Sequence, residues 1–165
     1  MRGEGGLRAD LAALAIPFEE HEHPAVFTVA ESGALDAAIP GAHSKNLFLK
    51  DAGGVFWLVT VPAQARVDLK ALPQVIGCKR VSFAKAQDME RLLGITPGSV
   101  TPLAMINAAP GSVAVVLEQA LASAGRVNVH PLRNTATVGL AGANILRLLE
   151  HWGHEPVVAG IPISS

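Results

Sequence analysis

Residues 39 to 51 read IPGAHSKNLFLKD, and they hold a dense run of groups able to do chemistry. His43, Ser44, Lys45 and Asn46 stand in a row directly before the apolar Leu47-Phe48-Leu49. The strand pattern does not need an ammonium at its start. Lys45 has two physical uses there. It can snorkel, laying its stem on apolar surface and its head in water. It can also place a cation where negative charge develops during a reaction. Asn46 offers an amide donor to a substrate carbonyl, or caps the strand. Strict strand alternation sends residues 45 and 46 to opposite faces, so both need not touch one ligand.

A second stretch, LLGITPGSVTPLAMIN (92 to 107), reads as a helix end, a Pro/Gly loop and then a strand. Within it Gly98-Ser99-Val100-Thr101-Pro102 forms a GxxxP. Glycine permits positive φ and proline has no N–H, so the bracketed amides are free to face a carbonyl or oxyanion rather than a ladder. Most such segments are only loops. His130 ends the alternating RVNVH. Familiar phosphate-binding, dinucleotide-binding and GxSxG signatures are absent. The pairs His21/His23 and His151/His154 have no cysteine nearby, and there is no HExxH, so neither a metal nor a cofactor is expected. Cys78 reads as a small buried residue and fits a reducing compartment.

These groups need a scaffold. The chain has 165 residues, half of them hydrophobic, which suits one domain over residues 1–165. No apolar run approaches a membrane span and no secretory signal is evident, so a cytoplasmic protein is expected. Net charge is −1, yet residues 43 to 85 hold seven bases against two acids, a local +5. Such asymmetry suits a polyanion, or is ordinary surface charge. Periodicity predicts helices over 7–16, 29–39 (Thr28 as cap, Glu31 completing a capping box), 69–77 (Asp68 as cap), 84–93 and 144–152. Gly33 weakens the second of these. Strands are predicted over 18–23, 45–51, 55–61, 80–84, 126–131, 135–140 and 156–161, and 112–121 reads as a strand turning into a short helix. The outcome is an α+β fold, a mixed, mostly antiparallel sheet or open barrel flanked by helices.

HSKNLFLKD, LLGITPGSVTPLAMIN, RVNVHPLRNTATVGL and the C-terminal helix, in this order and spacing, resemble the prolyl-tRNA editing domain family, the YbaK-like aminoacyl-tRNA deacylases. The likeness spans roughly residues 17 to 160 and is strongest to free-standing members that clear alanine from tRNA(Pro). INAAPGSV departs from it, with alanine where many relatives carry aspartate. The resemblance implies hydrolysis of mischarged Ala-tRNA(Pro), with Lys45 needed for catalysis. It implies a substrate pocket involving Asn46, Gly98, Ser99, Val100, Thr101, Pro102 and His130. Size selection would use walls such as Ile39, Leu47 and Met105, because a synthetase for proline cannot strongly reject smaller alanine. Lys50, Lys79 and Arg80 are candidates for gripping tRNA. Expected partners are the tRNA acceptor end and prolyl-tRNA synthetase, with neither DNA nor a membrane. Alternatives are a deacylase for Cys-tRNA(Pro) or Ser-tRNA(Ala), and a non-catalytic RNA-binding module.

Overall fold

The computed structural model describes residues 1–25 and 29–164, with backbone only for 29–32. The predicted Thr28–Glu31 capping box therefore lies outside the described residues. Alternation builds the central hairpin. Strands β2 (Ala42–Asp51) and β3 (Phe56–Pro62) pair antiparallel from Ser44↔Pro62 to Lys50↔Phe56. The turn is held by Asp51, whose Oδ1 accepts from the Gly53 and Val55 amides at 2.9 and 3.0 Å. β2 begins three residues before the predicted start, so Lys45 is interior to the strand rather than its opening residue.

The remaining strands are β1 (Glu19–Glu22), β4 (Val81–Phe83), β5 (Val113–Glu118), β6 (Val127–Val129), β7 (Ala136–Leu140) and β8 (Val157–Ala159). They form an open sheet in the order β1-β7-β6-β2-β3-β5-β8, with β4 added on β2. Four of the seven pairings are antiparallel, which makes the sheet mixed but mostly antiparallel. The predicted edge and closing strands are β1 and β8, at the two ends.

Side chains alternate between two cores. Phe48, Leu58, Val113, Val115 and Leu117 face a large cluster that takes in α1 (Glu4–Ala13), α4 (Ala86–Leu93) and α6 (Gly142–His151). Leu49, Trp57, Val59, Val61 and Val116 face a smaller one closed by α3 (Leu72–Ile76). Each fully buried leucine adds about 1.5–3 kcal/mol. α5 (Gln119–Ala122) follows β5 directly, as the sequence suggested. It lies so close to α6 that a Cβ on Gly142 would stand 1.9 Å from the Leu121 carbonyl oxygen.

Several boundaries move for identifiable reasons. α1 starts at Glu4, its first turn pinned by Arg2, which pairs with Asp10 at 2.7 Å. It stops at Ala13 because Ala15, at φ 54°, reverses the chain and returns the Ile16 amide to the Leu11 carbonyl at 2.9 Å. Asp68 caps a preceding turn, accepting from the Lys70 and Ala71 amides, so α3 is shorter than predicted. The predicted strand after the GxxxP is instead a buried 3₁₀ helix, Pro102–Ile106, capped by the Thr101 hydroxyl. α2 (Val29–Ala38) forms where expected and ends before Pro40-Gly41.

Candidate active site

The site follows from how β2 is shared. On the edge away from β3, Ala42 and His43 pair with β6 and residues 49–51 pair with β4. Between them, residues 44 to 48 have no strand on that edge. The Ala42 amide donates to the Arg126 carbonyl and the Phe48 carbonyl accepts from the Ala84 amide, both on this edge. Backbone groups of alternate residues point the same way in an antiparallel pair, so those of Ser44 and Asn46 also face this gap. The Asn46 N–H has no acceptor among the described residues.

A cleft of about 320 Å³ opens at the gap. Its floor is His43, Ser44, Lys45 and Asn46 from β2, and Asn128, Val129 and His130 at the end of β6. Leu35 and Asp36 of α2 and Ala63 after β3 form the walls, with Thr137 of β7 beside them. Lys45 is half-buried, and its ammonium has neither a carboxylate nor a hydrogen-bond acceptor among the described residues. Lys45 also borders a second hollow of about 200 Å³ with Leu47, Val67, Leu69 and Phe83. It therefore stands where two cavities meet.

The Asn46 side chain is committed elsewhere. Its Nδ2 donates to the Val100 carbonyl at 2.9 Å and its Oδ1 accepts from Thr60 Oγ1 at 2.6 Å. Asn46 thus ties the GxxxP loop to the sheet. The loop itself differs from the sequence expectation. Gly98 is not at positive φ, and Gly98–Pro102 run through two 3₁₀ turns. The Ser99 amide donates to the Thr96 carbonyl at 3.0 Å, so it is not turned out toward a ligand. None of Gly98, Ser99, Val100, Thr101 or Pro102 lines the cleft, and the loop reaches it only through Val100 and Asn46.

His130 lines the cleft, and its Nδ1–H donates to the Ala136 carbonyl at 3.0 Å. Burial pushes its imidazole below the ordinary range, aided by nearby His23, and the Ala136 bond only partly offsets this. The ring is therefore neutral at neutral pH, with Nε2 an acceptor. Three proposed wall residues fall outside the cleft. Ile39 and Met105 are buried, Met105 at 0% exposure in the large core, and Leu47 faces the second hollow. Sequence reasoning missed Asp36. Its Oδ1 lies 3.2 Å from His43 Nδ1, while His43 Nε2 reaches the Ile39 carbonyl at 2.8 Å, a clasp between α2 and β2. Nothing in the spacing of Asp36 and His43 announces that clasp.

The proposed tRNA-gripping residues lie further along β2. Lys50 is about 17 Å from Lys45 at strand rise, paired with Ser82 and 5.3 Å above the Phe56 ring. Lys79 and Arg80 are exposed beside the hairpin turn. There Asp51 holds the backbone together. Burial lifts its carboxyl, but hydrogen bonds from Val55, Trp57, Gly53 and Lys79 outweigh this and leave it below the ordinary range. Among the described residues no group of three or more His, Cys, Asp or Glu side chains is placed to hold a metal, and no helix is long and apolar enough to cross a membrane.

Comparison with known proteins places this geometry. The aminoacyl-tRNA editing domain profile matches residues 23–148. Prolyl-tRNA synthetase associated domain-containing protein 1 of Bos taurus is 40% identical over 92% of this chain and 91% of its own length. Prolyl-tRNA editing protein ProX of Acetoanaerobium sticklandii is 33% identical over 88% of this chain and 90% of its own. A solved structure described as a candidate trans-editing enzyme for prolyl-tRNA synthetase aligns with TM-score 0.70, covering 95% of this chain and 96% of that one. At 19% identity it speaks to the fold alone. The chain belongs to the aminoacyl-tRNA editing domain family. It is an aminoacyl-tRNA deacylase, an ester hydrolase whose substrate is a charged tRNA.

Proposed function

We propose that this protein hydrolyses mischarged Ala-tRNA(Pro) in trans, releasing alanine and tRNA, with prolyl-tRNA synthetase as its partner. The observation that carries the reading is the Lys45 ammonium, which forms no ion pair among the described residues, beside an Asn46 N–H that has no acceptor among them, at an unpaired strand edge. Water attacks the ester carbonyl carbon and negative charge gathers on the carbonyl oxygen. Lys45 and the Asn46 amide stabilise that charge. The bond from carbonyl carbon to ribose oxygen then breaks, and the ribose oxygen takes up the proton that the attacking water gives up. His130 Nε2 accepts a hydrogen bond from the attacking water and orients it. The Asp36 carboxylate faces the substrate amino group. Leu35, Ala63 and Val129 are the apolar residues of the cleft lining against which an alanine methyl would sit. The relatives' names, which refer to prolyl-tRNA, support the choice of tRNA.

The test is a panel of Ala-tRNA(Pro), Cys-tRNA(Pro), Ser-tRNA(Ala) and Pro-tRNA(Pro), incubated with and without EDTA. Fast release of alanine alone, unchanged by EDTA, is expected. Preferred release of cysteine or serine moves the specificity to that substrate. An intact panel under excess protein reassigns the chain to RNA binding without catalysis.

A further inference from the structure

The second hollow, on the other side of Lys45, has no role in the chemistry above. Its walls are Leu47, Val67, Leu69 and Phe83, all apolar, with Lys45 the one charged residue at its border. Phe83 is 63% exposed, an unusual position for an aromatic side chain on a short edge strand. The register explains how it gets there. Phe83 pairs with Leu49, so it shares a face of the sheet with Leu49, Leu47 and Lys45. The exposed bases Arg66 and Lys70 adjoin Val67 and Leu69 in the chain, and neither forms an ion pair among the described residues. An apolar wall with an exposed aromatic ring, and with exposed bases next to two of its residues in the chain, suits one ligand chemistry, a nucleobase joined to phosphates.

We propose that this hollow binds the base of the 3′-terminal nucleotide of tRNA, stacked on Phe83. This rests on the deacylase reading above and extends it. The aminoacyl group occupies the 320 Å³ cleft and the base the 200 Å³ hollow. The ribose that joins them lies over Lys45, which borders both. Arg66 and Lys70 meet the phosphates of the preceding nucleotides. Phe83 is thus a substrate-binding residue that acts through affinity and orientation, not through the reacting bond.

The experiment uses the full chain and tRNA carrying 2-aminopurine at its 3′ end, with deacylation of the natural substrate followed in parallel. Stacking quenches 2-aminopurine, so wild type should quench it. Phe83→Ala should lose the quench and raise KM about ten-fold, with kcat changed less. Phe83→Trp should restore both, and Phe83→Leu, apolar but not flat, should not. With a substrate whose terminal ribose lacks a base, Phe83→Ala and wild type should have the same KM. An unchanged KM and an unchanged quench in Phe83→Ala overturn the proposal while leaving the deacylase reading intact. Retained tRNA affinity with lost binding to the synthetase overturns it in favour of a protein-binding surface. Quenching without hydrolysis of any charged tRNA supports the base site and removes the deacylase reading instead.

Discussion

Two regions of this molecule treat their cations in opposite ways. Outside residues 43–85 every basic residue is an arginine, and five of the six are ion-paired: Arg2 with Asp10, Arg8 with Glu4 and Glu20, Arg91 with Asp88, Arg126 with Glu19, and Arg133 with Glu4 and Glu22. Inside the segment lie all five lysines of the chain with Arg66 and Arg80, and none of the seven forms an ion pair among the described residues. Arginine's planar fork suits fixed carboxylate pairs, and lysine is a compact point charge on a flexible stem. Apart from the Arg91–Asp88 pair within α4, the first region commits its charge to α1 and the edge strand β1. The other keeps it available. A net charge of −1 conceals this division.

The sharpest way to break the contrast is at Lys45. Lys45→Ala should lower kcat about 10²- to 10³-fold, the usual cost of one charge-stabilising donor. The melting temperature should not fall, because none of the described residues pairs with the Lys45 ammonium. Near-wild-type turnover would remove Lys45 from the chemistry. Next come Arg80→Ala and Lys50→Ala. Each should raise KM several-fold with a smaller change in kcat. Each should also flatten the log–log salt dependence by about 0.7 for every phosphate that is no longer neutralised. Unchanged KM and slope in both would make them plain surface charge. On the paired side, Arg133→Ala should leave KM and the salt slope alone and lower the melting temperature by a few degrees; a raised KM there would blur the division.

The smallest expected effect concerns pH. An unfolded histidine takes a proton near pH 6.5, whereas folded His130 is held below that range by burial. The unfolded state therefore binds more protons in this window, and stability rises with pH through it. It should decline as pH falls from about 7 to 5. His130→Gln, which keeps a donor for the Ala136 carbonyl, should show a flatter decline in chemical denaturation across that range.

The sequence made the β2–β3 hairpin plain, because alternating apolar residues and Gly53-Gly54 are local signals. It also drew attention to Lys45, an ammonium in an apolar strand. It misplaced the GxxxP segment, since Pro102–Ile106 is apolar enough to pass for a strand and its 3₁₀ turn depends on the Thr101 cap and its buried surroundings. It credited the Asn46 side chain with facing substrate, whereas Thr60 and Val100 claim it. The Asn46 N–H, without an acceptor among the described residues, was invisible, because it follows from which edge β6 and β4 leave uncovered. Met105 looked like a wall because hydrophobicity does not say which cavity a side chain faces.

The branching of β2 also has a meaning in time. Lys45 is made early in synthesis, but the cleft needs Ser44 to reach the Asn128 carbonyl, 84 residues later, at 2.6 Å. Pairings so distant in the chain form late in folding. A nascent or half-folded copy therefore displays the cation without the walls at Val129 and His130. Such a copy has nothing with which to tell one aminoacyl group from another, and equally no enclosed place in which to cut it. On the proposed function, the power to hydrolyse and the means to discriminate would arrive together, and an unfinished copy would leave correctly charged tRNA intact.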